Sequence, residues 1–84
     1  MYSFLKIINR TDYPAISVAE DDRVLAGQIL AGETSPVYTL SAGSLSLLVR
    51  QNTDRPFLSI WMALPPDTLK ILVIENETAY FAMD

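Results

Sequence analysis

The stretch Leu45-Ser46-Leu47-Leu48-Val49-Arg50 decides the fold class. Leu45, Leu47 and Val49 share one face, and Ser44, Ser46 and Arg50 share the other. A period of two belongs to a strand, because successive side chains of extended backbone point to opposite sides. Leu69-Lys70-Ile71-Leu72-Val73-Ile74 repeats the pattern, with Leu69, Ile71 and Val73 set against Lys70, Leu72 and Ile74. Residues 4–9 and 15–19 add strand length and β-branched content.

Working outward, the segments between these runs are turn chemistry. Asp12-Tyr13-Pro14 closes the first strand. Glu20-Asp21-Asp22 reads as a tight turn between residues 16–19 and 23–26, since aspartate tolerates left-handed backbone. Residues 27–33 read as a longer loop and residues 35–40 as the next strand. Ser41-Ala42-Gly43 turns the chain into residues 44–50, with Gly43 supplying a positive backbone angle in a hairpin. Residues 51–55, 64–67 and 75–77 are further turns, the last leading into residues 78–83. Residues 57–64 fit a strand or a short helix, and the flanking prolines and neighbouring strands favour strand. Turn signals recur roughly every 8–12 residues, the spacing of a sandwich or barrel. The expected fold is all-β: a small antiparallel β-sandwich of seven or eight strands, with residues 1–84 forming one domain.

Composition narrows the function classes. The chain has 84 residues and a formal net charge of −4, from six basic and ten acidic side chains. That balance disfavours a phosphate-neutralising surface, so nucleic acid is not an expected partner. The chain has no cysteine and no histidine. Disulfides, thiol chemistry, a Ser-His-Asp triad and a histidine-bearing zinc site are therefore excluded. The N-terminal residues lack a charged segment followed by an apolar core and a cleavage site, so the sequence predicts no signal peptide and a cytoplasmic location. The longest uncharged apolar stretch, residues 57–66, contains Ser59 and ends in two prolines. It falls short of the roughly 20 residues of a membrane helix, so no membrane insertion is expected. Asn9-Arg10-Thr11 and Asn76-Glu77-Thr78 match the glycosylation pattern and, without a secretory signal, read as coincidence.

The order Leu5-Lys6-Ile7-Ile8-Asn9, Pro14-Ala15-Ile16-Ser17-Val18 and Val24-Leu25-Ala26 continues with residues 31–38, Leu40-Ser41-Ala42-Gly43 and residues 45–49. It resembles the domain of unknown function 4397 family, whose members pair an opening V-x-N-x-S-P strand with a G-x-x-S-x-Y loop and a P-A-G-x-Y-x-V hairpin. The resemblance covers roughly residues 5–75, and Gly32-Glu33-Thr34-Ser35, Tyr38 and Ala42-Gly43 carry most of it. It implies a bacterial, transthyretin-like or immunoglobulin-like β-sandwich without an established activity. It also implies the cell envelope as an alternative location. The chain departs from the family at Ser17, where an aspartate is common, and at Asp21-Asp22, which replaces an Asp-Gly hairpin.

Candidate chemistry is sparse. Glu20-Asp21-Asp22 could form half of a calcium site or a solvated turn, and no stretch matches an EF-hand loop. Asp12, Asp54 and Asp67 fall in predicted loops that could gather at one end of a sandwich. A carboxylate pair could hydrolyse glycosides, but so small a sandwich offers little wall for a cleft of roughly 300 Å³. Lys6 and Lys70, the lysines a Ser-Lys arrangement would need, read as solvent-facing strand residues. Gly27, Gly32 and Gly43 stand apart and form no phosphate cradle. No catalytic residue, cofactor or metal is expected.

The apolar excess is more informative. Half the residues are hydrophobic, and mean hydropathy is +0.23. Several predicted strands are apolar on both faces: Leu58, Ile60, Met62 and Leu64 oppose Phe57, Ser59, Trp61 and Ala63, and Phe4 and Ile8 oppose Leu5 and Ile7. A two-layer sandwich covers only the inner face of each sheet, and a large exposed apolar patch marks an interaction site. The candidate interaction surface is Tyr38, Leu58, Ile60, Trp61, Met62, Leu72 and Ile74. The expected function is a noncatalytic binding or structural module that self-associates as a homodimer. The alternative is a carbohydrate- or peptide-binding domain with Trp61 or Tyr38 as stacking platform, its partner a glycan or a protein. A small carboxylate-dependent enzyme is the third reading.

Overall fold

The alternation seen in the sequence becomes extended chain in the computed structural model, which describes residues 1–20, 23–51 and 55–82. The strands are β1 (Tyr2–Asn9), β2 (Ala15–Glu20), β3 (Arg23–Leu30), β4 (Tyr38–Ser41), β5 (Gly43–Gln51), β6 (Pro56–Leu64), β7 (Leu69–Ile74) and β8 (Ala79–Phe81). No helix occurs among the described residues, so residues 57–64 take the strand alternative. Two four-stranded sheets form, in the orders β4-β1-β7-β8 and β3-β2-β5-β6, and their facing side chains make one core. The fold is the expected all-β sandwich.

One pairing departs from the antiparallel expectation. β1 lies parallel to β7, in register from Phe4 with Leu69 to Asn9 with Ile74. Turn residues reveal where the chain reverses, and each reversal into an adjacent strand makes an antiparallel hairpin: β2–β3, β5–β6 and β7–β8. The β1–β7 pair has no connecting turn, so no local signal announces it.

That register decides which side chains are inside. Leu5 and Ile7 point inward from β1 and are fully buried. In a parallel pair, neighbours in register share a face, so Leu72 beside Ile7 and Ile74 beside Asn9 also point inward. They are 2% and 0% exposed and belong to the core. This corrects their expected place on an outer surface. Met62 is likewise buried, opposite Leu45. Each such side chain contributes roughly 1.5–3 kcal/mol by leaving water.

Two loops also differ from expectation. Residues 27–30 continue β3, because that strand absorbs two register shifts against β2, between Ile16 and Val18 and between Val18 and Ala19. Bulges of this kind hide a strand from period-two reading, because each extra residue inverts the alternation. Residues 35–37 precede β4 instead of belonging to it. They lie beside the end of β1, where Ser35 N–H donates to Ile7 O (2.7 Å) and Ile7 N–H donates to Ser35 Oγ (2.9 Å). The serine hydroxyl stands in for a ladder acceptor.

Gly43 does adopt positive φ, at 119°. It makes a corner, not a hairpin, since β4 and β5 belong to different sheets. A Cβ there would meet no atom within 4 Å, so the cost of a side chain is conformational. Gly43→Val is expected to lower stability by about 1 kcal/mol or more, read from the denaturant midpoint. A variant with the parent's midpoint would show that the corner accepts a β-branched residue.

Candidate interaction surface

The β1 register sets the outer face of the first sheet as firmly as its inner one. Phe4 lies between Thr39 of β4 and Leu69 of β7, Lys6 lies beside Ile71, and Ile8 lies beside Val73, which is paired in turn with Tyr80 of β8. Leu69 is 43% exposed and Tyr80 44%; Tyr2, at the start of β1, is 64% exposed. Phe4, Ile8 and Ile71 are half-buried, and Val73 is covered. Apolar side chains of three neighbouring strands thus form one surface, with the Lys6 ammonium as its charge. β1 and β7 are apolar on both sides in the sequence, and the row of β7 expected outward, Leu72 and Ile74, is the inward one.

The second sheet presents a different outer face. Ser44 pairs with Ala63, Ser46 with Trp61 and Leu48 with Ser59, so apart from Leu48 small residues surround one large ring. Trp61 is 73% exposed. Tyr38, opposite Leu5, faces inward and packs half-buried on the core, so it is not a free stacking platform. Leu58 and Ile60 also face the core and remain partly exposed. Of the seven residues expected to form one surface, Trp61 alone stands clear of the core; the others line the interior of the two sheets.

The polar candidates serve the scaffold. Asn9 is fully buried. Its Nδ2 donates to Ile29 O (2.9 Å), and its Oδ1 accepts from Thr11 N–H (2.9 Å) and Thr11 Oγ1 (2.6 Å). Gly32, at φ 81°, donates its N–H to Asn9 O (2.7 Å). Asn9, Gly32 and Ser35 therefore fasten the end of β1 to β3 and to the following loop, and the Asn9 amide has no room for a glycan. Asn76 and Asp12 bond reciprocally: Asp12 N–H donates to Asn76 Oδ1 and Asn76 Nδ2 to Asp12 Oδ2, each at 2.7 Å.

The described loop acids Asp12 and Asp67 do not gather. Asp67 N–H donates to Tyr2 O at the beginning of β1, whereas Asp12 follows its end. A strand of that length separates the two by about 25 Å. Asp21, Asp22 and Asp54 lie outside the described residues. Glu20 pairs with Arg23 at 3.2 Å on the surface, a contact worth little in water. Among the described residues no group of three or more acids comes together as a metal site. Lys70 Nζ lies 5.6 Å from the Phe81 ring centroid, a cation–π contact.

No protein-family model matches the chain, and no curated protein matches it in sequence. The outer faces of the two sheets are thus read on their own chemistry.

Proposed function

We propose that the protein is a noncatalytic binding or structural module that self-associates through the outer face of the β4-β1-β7-β8 sheet. The observation that carries this reading is the continuous apolar surface of Phe4, Ile8, Leu69, Ile71 and Tyr80 across β1, β7 and β8. Such a face leaves apolar area in contact with water, and a twofold pairing covers it with its own copy.

Light scattering over the micromolar range tests it. The expected result is a dimer, weakened at least tenfold in Kd by Leu69→Lys with an unchanged β circular dichroism spectrum. A monomer throughout that range would overturn the reading and turn attention to a heterologous protein partner. Leu69 suits the test because its side chain already meets solvent. A second reading rests on Trp61, which stands exposed among serines and alanine on the opposite sheet. It makes that face a platform for a sugar ring or a peptide. As Trp61 is the sole tryptophan, its fluorescence during a sugar titration reports on that alternative directly.

A further inference from the structure

Among the described residues each sheet ends in two strands with an unpaired side, and natural edges are blunted by shortness, bulges or charge. β4 has four residues and β8 three. β3 carries two register shifts and begins at Arg23. β6 differs from all three. It has nine residues, and its register with β5 runs without interruption over residues 58–64. No charged residue lies between Arg55 and Asp67.

The inward side chains of β6 report the missing neighbour. Leu58 and Ile60 point toward the core but stay half-exposed, while Leu47 and Val49 beside them on β5 are buried. The difference is one of position: among the described residues β5 has a strand on each side, and β6 has one only.

We propose that β6 pairs antiparallel with β6 of a second copy, joining two β3-β2-β5-β6 sheets edge to edge. The proposal takes its partner from the self-association reading and places a contact distinct from the apolar face. Three features favour a second copy. Pairing centred on Ile60 sets Leu58 opposite Met62 and Ile60 opposite Ile60 on the inner side, which extends both cores. On the outer side it sets each Trp61 opposite Ser59, so a large ring meets a small side chain, and the two rings become diagonal neighbours. The copies each carry a net charge of −4, and an uncharged segment is where they approach with least repulsion.

The experiment follows the intact chain from submicromolar to high micromolar concentration. Trp61 emission and the amide hydrogen exchange of residues 58–63 are read together. The expected result is a shift of emission to shorter wavelength and exchange slowed at least tenfold, both lost in Ser59→Glu and both retained in Leu69→Lys. Ser59 is exposed, so the acid is tolerated by the fold, and circular dichroism verifies this. Association that leaves Trp61 emission and β6 exchange unchanged would overturn the edge contact and leave the face reading standing. Loss of association in Leu69→Lys alone would do the same. Signals retained in Leu69→Lys and lost in Ser59→Glu would establish the edge, and light scattering then tests the face separately: a Leu69→Lys variant that assembles as far as the parent would remove it. A monomer at every concentration would remove both.

Discussion

Ile74→Lys is expected to leave no folded protein at 25 °C, while Ile71→Lys, three residues earlier on the same strand, folds. Ile74 is fully buried between Asn9 of β1 and Ala79 of β8. An ammonium placed there loses hydration without an acidic partner among its paired neighbours, a penalty of several kcal/mol, and the burial of the isoleucine is lost with it. A domain of this size has a total stability near the lower end of about 5–15 kcal/mol, so one such change removes most of it. Ile71 lies in the outer row beside Lys6 and is half-buried. A lysine there lays its stem along the sheet and holds its charge in water, at a cost of about 1 kcal/mol or less. Circular dichroism and dispersion of amide NMR signals separate the two outcomes. The reverse result, a folded Ile74→Lys beside an unfolded Ile71→Lys, would mean that β7 is inverted.

Asn9→Ala is expected to cost roughly 2–4 kcal/mol and to lower the thermal midpoint by on the order of 10–20 °C. The substitution strands Ile29 O, Thr11 N–H and the Thr11 hydroxyl, which the Asn9 amide now satisfies. Thr11 is itself buried, so at least part of that polar set has no easy access to solvent. Removing one partner of a buried bond costs the desolvation of the group left behind, which exceeds the net worth of the bond. Asn76→Ala is the matched control, because its two bonds to Asp12 are exposed and water replaces them. Scanning calorimetry of the pair should show a large shift for the first and a small one for the second. Equal shifts would show that the Asn9 amide is not what holds β1, β3 and the following turn together.

Strand positions were legible because period two is a local property, and facing was legible only where polar residues marked one side. Ser44, Ser46 and Arg50 label the outer row of β5, and Leu45, Leu47 and Val49 are indeed inside. β7 carries one such label, Lys70, and it misleads. Its residue lies in the inward row near the start of the strand, where the side chain reaches over the Phe81 ring. Trusting that single charge sends Leu72 and Ile74 to the wrong face. β3 failed for another reason: two extra residues invert its alternation twice, leaving no regular pattern to read. Gly43 announced its backbone angle but not its role, because a positive φ serves a corner between sheets as well as a hairpin. Trp61 was legible as a surface candidate, whereas the outer face that carries the functional proposal depends on a parallel pairing between strands far apart in the chain.

That parallel pairing also governs the order in which the molecule can be built. All four strands of the second sheet lie within residues 15–64, and hairpins close two of its three pairings. The first sheet draws its central strands from two distant segments, Tyr2–Asn9 and Leu69–Ile74. During synthesis β1 leaves the ribosome well before β7, and Leu5 and Ile7 then wait for Leu72 and Ile74 until the intervening strands have followed. Bringing them together closes a loop of about sixty residues, and contacts between such distant segments slow folding. Until then β1 has apolar side chains on both sides and, to lie against in its own sheet, the four-residue β4 and the loop residues 32–35 that bond to its end. β1, made before the strands it pairs with, is therefore among the last of them to be secured, and its vulnerable interval lasts until residue 74 is free to pair.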